Sequence, residues 1–178
     1  MKKLTREYLR KIGVPAVLIP GLLLAVALGW NGVQLSKKTN YFANERIFPR
    51  QGVVVAVEDG DTLQLVNGVR VRLLGINTPE RGAAFYNEAK QKTADLVAGR
   101  SVSLEYEPGY QDDKFGRVLA YAWYSKEGAR RLLNEDLVAA GLARTAFYKD
   151  RRKLAHADRL AAAEASASAQ RLYLFAPR

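Results

Sequence analysis

The chain has 178 residues and a mass of 19.8 kDa, which argues for one folded domain with an appendage. Its 48% hydrophobic and 26% charged residues exclude a disordered tail. The formal charge of +10 predicts an anionic partner, either nucleic acid or a membrane surface. Because the chain has no cysteine and one histidine, His156, thiol chemistry and multi-histidine metal centres are excluded, and any metal must be held mainly by oxygen.

An apolar run near the amino terminus predicts a membrane-spanning helix at residues 14–35. No Asp, Glu, Lys or Arg occurs from Ile12 to Ser36, and a helix of this length can cross a hydrocarbon core. Residues 1–13 form a basic segment with five Lys or Arg and one Glu, which predicts a cytoplasmic amino terminus and an extracytoplasmic domain. Residues 36–50 then read as a polar, basic linker.

Two other interpretations of this run stay open. The first is a cleaved secretory signal, since Ala25-Val26-Ala27 resembles a small-residue cleavage site, and the domain would then be secreted. The second is a buried core helix, which is less favoured because strand-type segments begin only after residue 50. The spanning helix and the signal both export the domain that follows.

Residues 51–178 predict a single domain that mixes strands and helices. Short β-branched and alternating runs predict five strands, at residues 52–58, 62–66, 69–74, 101–107 and 117–124. Helical periodicity with terminal glycines predicts three helices, at residues 85–98, 134–140 and 151–171. The first helix is expected to present one apolar face, formed by Phe85, Ala89, Thr93, Leu96 and Val97.

The order of these elements predicts the fold class. Asn67-Gly68 is a strong hairpin signal between the second and third strands, so the first three strands should form a meander. A helix then stands between strands three and four, and five strands in this order follow the plan of an OB-fold. We therefore expect an α+β protein with a five-stranded OB-fold barrel and three helices, preceded by one N-terminal transmembrane helix.

Three short motifs at the strand ends carry the predicted chemistry. They are DGDT at residues 59–62, RLLGINTPE at 72–80 and DKFGR at 113–117. Together they supply carboxylate oxygens for a divalent cation, a carboxylate to orient water, and two guanidinium groups to neutralise charge on a phosphate. Phosphodiester cleavage needs this set, and we predict Arg72, Glu80 and Arg117 as its catalytic residues.

Four ordered segments of the chain resemble the staphylococcal nuclease (thermonuclease) family over roughly residues 50–175. These segments are VEDGDTLQL, VRLLGINTPE, DDKFGRVLAY and NEDLVAAGLA. The resemblance implies a calcium-dependent nuclease that acts on DNA and RNA and has an OB-fold core. It also implies that Glu80 orients or deprotonates the attacking water, while Arg72 and Arg117 bind the scissile phosphate and stabilise its transition state.

The same resemblance implies a metal site. Asp61 would ligate calcium directly, the carbonyl of Thr78 would add a ligand, and Asp59 would lie nearby. The family's second calcium aspartate is Asn77 in this chain, and an amide oxygen can ligate but brings no negative charge. Calcium affinity should therefore be lower, or another divalent cation can serve.

Four residues are predicted to bind the substrate. Lys114 should attract phosphate, and Phe115 stands where the family has a tyrosine that contacts phosphate. Phenylalanine can stack on a base but cannot donate a hydrogen bond. Phe147 and Tyr148 lie where the family has two tyrosines in its binding pocket.

The sequence thus favours a metal-dependent endonuclease, expected to be a monomer, that is tethered to the membrane and cleaves DNA or RNA. The alternative is a catalytically inactive OB-fold module that binds nucleic acid or a protein at the membrane surface, and Asn77 and Phe115 favour it. A third interpretation is a scaffold at the membrane whose positive charge contacts anionic lipid.

Overall fold

The computed structural model describes residues 48–147 and 152–177. The predicted membrane helix or signal at 14–35, the linker before Phe48 and the predicted substrate-binding residue Tyr148 lie outside the described residues. Within these two ranges, no helix combines the length and the apolar character needed to cross a bilayer.

Five strands close into a barrel, as the sequence predicts. They are β1 (Gln51–Asp59), β2 (Thr62–Leu65), β3 (Arg70–Leu73), β5 (Ser101–Glu105) and β6 (Val118–Lys126). Strand β1 pairs antiparallel with both β2 and β5, while β3 pairs with β2 and β6 with β5. A parallel pairing of β3 with β6, which places Arg72 opposite Leu119, closes the ring.

Three further strands were not predicted. Strand β7 (Ala129–Leu132) folds back on β6 through Glu127-Gly128, where both residues have positive φ. Its exposed arginines give no alternating apolar pattern, so sequence periodicity could not indicate it. Strands β4 (Ile76–Asn77) and β8 (Arg144–Thr145) pair antiparallel as a two-residue ladder, which is too short for any periodic signal.

The three predicted helices are present with shifted ends. They are α1 (Tyr86–Val97), α2 (Leu133–Ala139) and α3 (Ala157–Ala169), and a single 3₁₀ turn covers Tyr173–Phe175. The prediction that the third helix begins at residue 151 is wrong. The N–H of Ala155 donates to the buried Glu107 carboxylate at 2.9 Å, so this segment is bound to the barrel and the helix starts only at Ala157.

The core fills the barrel and the space beneath the helices. Its largest fully buried side chains include Leu63, Leu65, Leu73, Ile76, Tyr121, Leu132, Leu133, Leu137 and Leu160. Helix α1 buries Ala89, Thr93, Leu96 and Val97, as predicted. Phe85 does not belong to that face: it precedes the helix with a φ of 67° and packs instead against Tyr173.

Candidate active site

The turn between β1 and β2 is locked against the turn that follows β4. A Cβ atom added at Gly60 would lie 2.7 Å from the side-chain oxygen of Thr78, so only glycine permits this approach. The hydroxyl of Thr93 on α1 donates to the carbonyl of Gly60 at 2.6 Å. The Asp59 carboxylate accepts the N–H of Asp61 at 3.2 Å, which fixes the turn from within.

Asp61 is the buried acid of this turn, with 4% of its surface exposed. Its Oδ2 atom accepts the N–H of Thr78 at 2.8 Å and lies 2.8 Å from Nη1 of Arg72. Burial raises the pKa of Asp61 to about 6, and nearby Asp59 acts in the same direction. Arg72 and the N–H of Thr78 oppose this rise in pKa without cancelling it.

Arg72 connects Asp61 to the β3–β4 turn through its guanidinium group. Its Nη1 donates to the carbonyls of Leu73 and Ile76, each at 3.1 Å, and its Nη2 donates to Oδ1 of Asn77 at 2.7 Å. Because the guanidinium group has a planar set of donors, it can hold these partners in one fixed geometry. The predicted phosphate-binding Arg72 therefore also organises two of the predicted metal ligands, Asp61 and Asn77.

Arg117 is held by partners from two parts of the chain. Its Nε donates to Oδ2 of Asp113 at 2.8 Å, and its Nη1 donates to the hydroxyl of Thr62 at 3.1 Å. The other Asp113 oxygen accepts the N–H groups of Phe115 and Arg117. Burial alone would raise the pKa of Asp113, but these N–H groups and the Arg117 guanidinium lower it below its usual value.

Thr62 brings the two arginines together. It lies opposite Arg72 in the β2–β3 ladder, and its hydroxyl accepts the hydrogen bond from Arg117. Both arginines line one cleft of about 880 Å³, which we call the arginine cleft. Predicted site residues in its wall are Arg72, Asn77, Lys114, Phe115, Arg117 and Phe147.

The two predicted aromatic contacts of the arginine cleft are exposed to solvent. Phe115 is 63% exposed and Phe147 is 41% exposed, which is unusual for phenylalanine. The ring centroid of Phe115 lies 5.1 Å from Nζ of Lys114 and 5.3 Å from Cζ of Arg117. Two cations beside an exposed aromatic face form a surface that suits a phosphate with its base.

Glu80 lies apart from these contacts. It is exposed, in the turn after Pro79, and its carbonyl accepts the N–H of Ala83 at 2.9 Å. Among the described residues its carboxylate has no hydrogen-bond or ion-pair partner, and Glu80 does not line the arginine cleft. The structure therefore joins Asp61, Arg72 and Arg117 through contacts, and it places Glu80 two residues beyond Thr78 with a free carboxylate.

The ligand atoms that the predicted metal-binding residues Asp61, Thr78 and Asn77 would supply are all oxygens, which fits a hard divalent cation. Oδ2 of Asp61 accepts the N–H of Thr78 and lies beside Nη1 of Arg72, and the Thr78 side chain also hydrogen-bonds to this carboxylate. Asn77 turns its amide oxygen toward Arg72, so its oxygen is already engaged. No three His, Cys, Asp or Glu side chains of residues 48–147 and 152–177 form a group that could hold a metal, so backbone oxygens or water must complete any such site.

Three residues of the site were not singled out from the sequence. Asp113 and Thr62 hold Arg117, and Arg144 lies opposite Asn77 in the β4–β8 pair and lines the arginine cleft. Asp113 and Thr62 belong to the quoted motifs, so their positions were visible although their partners were not. Arg144 had no signal, because its place beside Asn77 depends on a strand of two residues.

Comparison with known proteins supports a family assignment. The chain is 34% identical over 116 residues to a thermonuclease of Staphylococcus hyicus, covering 60% of this chain and 63% of that protein. It is 35% identical over 95 residues to an uncharacterized endonuclease of Escherichia coli, covering 52% of this chain and 58% of that protein. It is 33% identical over 98 residues to the endonuclease YncB of Bacillus subtilis strain 168, covering 50% of this chain and 44% of that protein.

The chain spans less than two thirds of the length of each of these three relatives. A sequence model of one family, the staphylococcal nuclease homologues, matches residues 70–176, which is more than half of the chain. The matched range contains Arg72, Glu80 and Arg117 together with most of the barrel. The closed five-stranded barrel, the paired arginines and this match together show that the chain belongs to the staphylococcal nuclease family.

Proposed function

We propose that the chain is a divalent-cation-dependent endonuclease that hydrolyses phosphodiester bonds in DNA, RNA or both. The observation that carries this proposal is the placement of Arg72 and Arg117 on either side of Thr62, in one cleft and beside the buried Asp61. Two guanidinium groups on one wall can bind two oxygens of a single phosphate, and they stabilise the charge that develops during cleavage. The names of the relatives, a thermonuclease and two endonucleases, agree with this reaction.

The two arginines have different parts in this mechanism. Arg117 is fixed by Asp113 and Thr62, so it is preorganised to receive a phosphate without further rearrangement. Arg72 is shared between Asp61 and the β3–β4 turn, so its charge connects the phosphate position to the metal position. Both positions are needed because a pentacoordinate phosphate carries more negative charge than its ground state.

Calcium is the proposed cation, and another divalent ion can replace it. Asp61 would hold it through its carboxylate, with the carbonyl of Thr78, with Asp59 nearby, and with Asn77 once its amide leaves Arg72. A bound divalent cation polarises phosphoryl oxygens and lowers the pKa of bound water. Because Asn77 supplies no charge, we expect weaker calcium binding than two carboxylate ligands would give.

Glu80 is the proposed base. A general base needs a free carboxylate within reach of water, and the exposed Glu80 carboxylate is unpaired among the described residues. It follows Thr78 by two residues, and the bond from the Thr78 N–H to Asp61 supports a position of Glu80 near the proposed metal. Its proposed task is to orient the attacking water in line with the leaving oxygen.

The substrate would be held by the aromatic and basic wall of the arginine cleft. Lys114 supplies charge, and Phe115 and Phe147 offer exposed rings on which a base can stack. Tyr148 is proposed to add to this wall. Because ring stacking tolerates every base, we expect little sequence preference and a preference for unpaired strands.

We further propose that residues 14–35 tether the enzyme to a membrane, with the amino terminus in the cytoplasm and the nuclease domain outside. The basic residues 1–13 support this orientation. Secretion after signal cleavage is the alternative. We expect a monomer in either case, because the proposed site is complete within one chain.

A second candidate function is a catalytically inactive module that binds nucleic acid. Asn77, which replaces a charged ligand, and the hydroxyl-free ring of Phe115 favour it. The two candidates differ in turnover. Only the nuclease should cleave a labelled oligonucleotide, stop in the presence of a chelator and resume with added calcium.

The test is a gel assay of the full chain, purified in mild detergent, on 5′-labelled single-stranded DNA and RNA with calcium, magnesium or chelator. Glu80→Gln should lower the cleavage rate by on the order of 10². Glu88→Gln is the matched control, because Glu88 is also exposed but lies on α1 and not in the turn after Thr78. A fully active Glu80→Gln protein would overturn the role of Glu80, and wild-type binding without any turnover would favour the inactive module.

A further inference from the structure

A second cleft adjoins the β4–β8 pair. It has a volume of about 460 Å³, and we call it the tail cleft because the carboxyl-terminal residues 173–177 form one of its walls. The opposite wall contains Thr78, Pro79 and Phe85. Asn77 and Arg144 line both the tail cleft and the arginine cleft, so the two clefts meet at this pair of residues.

The tail cleft has an aromatic wall made of Phe85 and Tyr173. Their rings meet edge to face, with centroids 5.5 Å apart and an interplanar angle of 82°. Both residues have positive φ, 67° for Phe85 and 36° for Tyr173, a region that bulky side chains rarely adopt. Two neighbouring aromatic residues with strained backbones point to a site, because such strain is retained mainly where function requires it.

The wall is firmly placed although Tyr173 itself is 45% exposed. Arg144 donates from Nη2 to the carbonyl of Leu174 at 2.7 Å, and its guanidinium carbon lies 4.7 Å from the ring centroid of Phe175. The N–H of Leu174 donates to the carbonyl of Gly141 at 3.1 Å. Arg144 thus fixes the carboxyl-terminal segment while it lines both clefts.

The composition of the tail cleft indicates what can occupy it. None of its described lining residues is acidic, and its one charged side chain is the guanidinium of Arg144. A volume of about 460 Å³ lies in the range of small-molecule sites and exceeds that of a single nucleobase. An aromatic wall with one cation in the lining suits a flat, neutral ring attached to an anionic group.

We propose that the tail cleft is a second nucleotide subsite, in which Tyr173 stacks on an unpaired base next to the scissile phosphate. This inference rests on the proposed nuclease function. The arginine cleft then takes the nucleotide on one side of the cleaved bond, and the tail cleft takes the nucleotide on the other side. Arg144 lies at the junction, where its guanidinium group would contact the connecting sugar-phosphate backbone.

The test uses single-stranded oligonucleotides in which one abasic nucleotide is moved along the chain. A gel gives the cleavage rate of every bond. When the abasic nucleotide occupies a stacking subsite, the bond at a fixed distance from it should be cleaved about tenfold more slowly, which we call a dip. The wild-type full chain should show two dips, one on each side of the abasic nucleotide. Tyr173→Leu, which keeps bulk but removes the aromatic face, should lose one dip and keep the other.

Phe48→Leu is the matched control. Phe48 and Tyr106 also meet edge to face, with centroids 5.6 Å apart, and neither residue lines the two clefts. This variant should keep both dips. Phe85→Leu provides a second approach to the tail cleft, and melting curves of all three variants establish that they fold.

The outcomes separate the subsite from the nuclease proposal. Cleavage with unchanged dips in both Tyr173→Leu and Phe85→Leu overturns the subsite and leaves the nuclease function intact. If the wild-type chain cleaves nothing, the proposed reaction is wrong. Binding of a labelled oligonucleotide is then measured by fluorescence anisotropy in the presence of chelator. Tyr173→Leu must then bind about tenfold more weakly than wild type, and equal binding, or no binding by either protein, overturns the subsite.

Discussion

Nη1 of Arg72 lies 2.8 Å from Oδ2 of Asp61, so the acid predicted to hold a cation already has a positive partner. A divalent ion at Asp61 must share this carboxylate with the guanidinium. The pairing keeps the turn organised before any cation arrives, because a buried carboxylate without a partner is costly. It would also connect the binding of a cation at Asp61 to the position of Arg72, which lines the arginine cleft.

Calcium should stabilise the protein through Asp61. At pH 8 we expect the melting temperature of the full chain to rise with calcium, and Asp61→Asn should abolish this rise. Burial raises the pKa of Asp61 to about 6, so at pH 5 a cation must displace a proton and the rise should be smaller. Asp158→Asn, at an exposed acid, is the control that should respond as wild type does. An unchanged calcium response in Asp61→Asn would rule out this ligand.

The planar shape of the Arg72 and Arg117 guanidinium groups should affect kcat, in addition to their charge. Arg117→Lys keeps the charge but loses the fork that binds Asp113, Thr62 and a phosphate together. We expect kcat to fall by on the order of 10², with a smaller change in melting temperature. Arg72→Lys should lower both kcat and the melting temperature, since Arg72 also holds the β3–β4 turn.

Arg130→Lys is the control for these two variants. Arg130 stacks on Trp123 at 4.3 Å from the ring centroid and lines neither cleft. Its kcat should equal that of the wild type. Full activity in both Arg117→Lys and Arg72→Lys would contradict a phosphate-binding role for their guanidinium groups.

The Asp113 carboxylate should contribute to the free energy of unfolding, and this contribution should depend on pH. The folded state lowers the pKa of Asp113, so its contribution is present above its ordinary pKa of about 4 and is lost as pH falls through the lower folded value. Asp113→Asn should therefore reduce the free energy of unfolding by about 1 kcal/mol at pH 7 and by almost nothing near pH 2.

Urea titrations at the two pH values measure this difference. Asp112→Asn, at the exposed neighbouring acid, should show no comparable loss at either pH. A deficit in Asp113→Asn that stays equal at pH 7 and near pH 2 would show that the carboxylate charge is not the cause.

Gly60 should tolerate no side chain. An added Cβ would meet the Thr78 side chain at 2.7 to 2.8 Å, and Thr78 is held by Asp61 and cannot move freely. Gly60→Ala should cost about 1–3 kcal/mol of unfolding free energy and displace Asp61, with loss of the calcium response. Gly52→Ala is the control, since its Cβ would approach closely only one terminal methyl of Leu65, at 2.9 Å, and should cost less. Equal urea midpoints for the two variants would disprove the contact argument.

The barrel could be predicted because its strands carry local signals. The second and third strands are joined by Asn67-Gly68, and Gly68 indeed has a φ of 82° at the predicted hairpin. Alternation predicted each of the five strands to within a few residues. The β4–β8 pair could not be found this way, because two residues on each side show no period and their pairing depends on the rest of the fold.

The sequence motifs predicted which residues belong to the candidate site, but not which of these residues contact one another. The motifs indicated Arg72 and Arg117, yet nothing local indicates that Arg72 binds Asp61 and Asn77 or that Thr62 receives Arg117. Phe85 shows the same limit, since its spacing fits the apolar face of α1 but its backbone leaves the helix to meet Tyr173. Such pairs join distant stretches of sequence, and only the closed barrel defines them.

The parallel pairing of β3 with β6 determines when, during folding, Arg72 and Arg117 can first line the same cleft. The two strands are far apart in sequence, and contacts of this kind are slow to form because a long loop must close first. Until they form, Arg72 and Arg117 belong to separate pieces of chain. Under the proposed nuclease function, a newly made polypeptide therefore cannot cleave nucleic acid until β3 and β6 have paired.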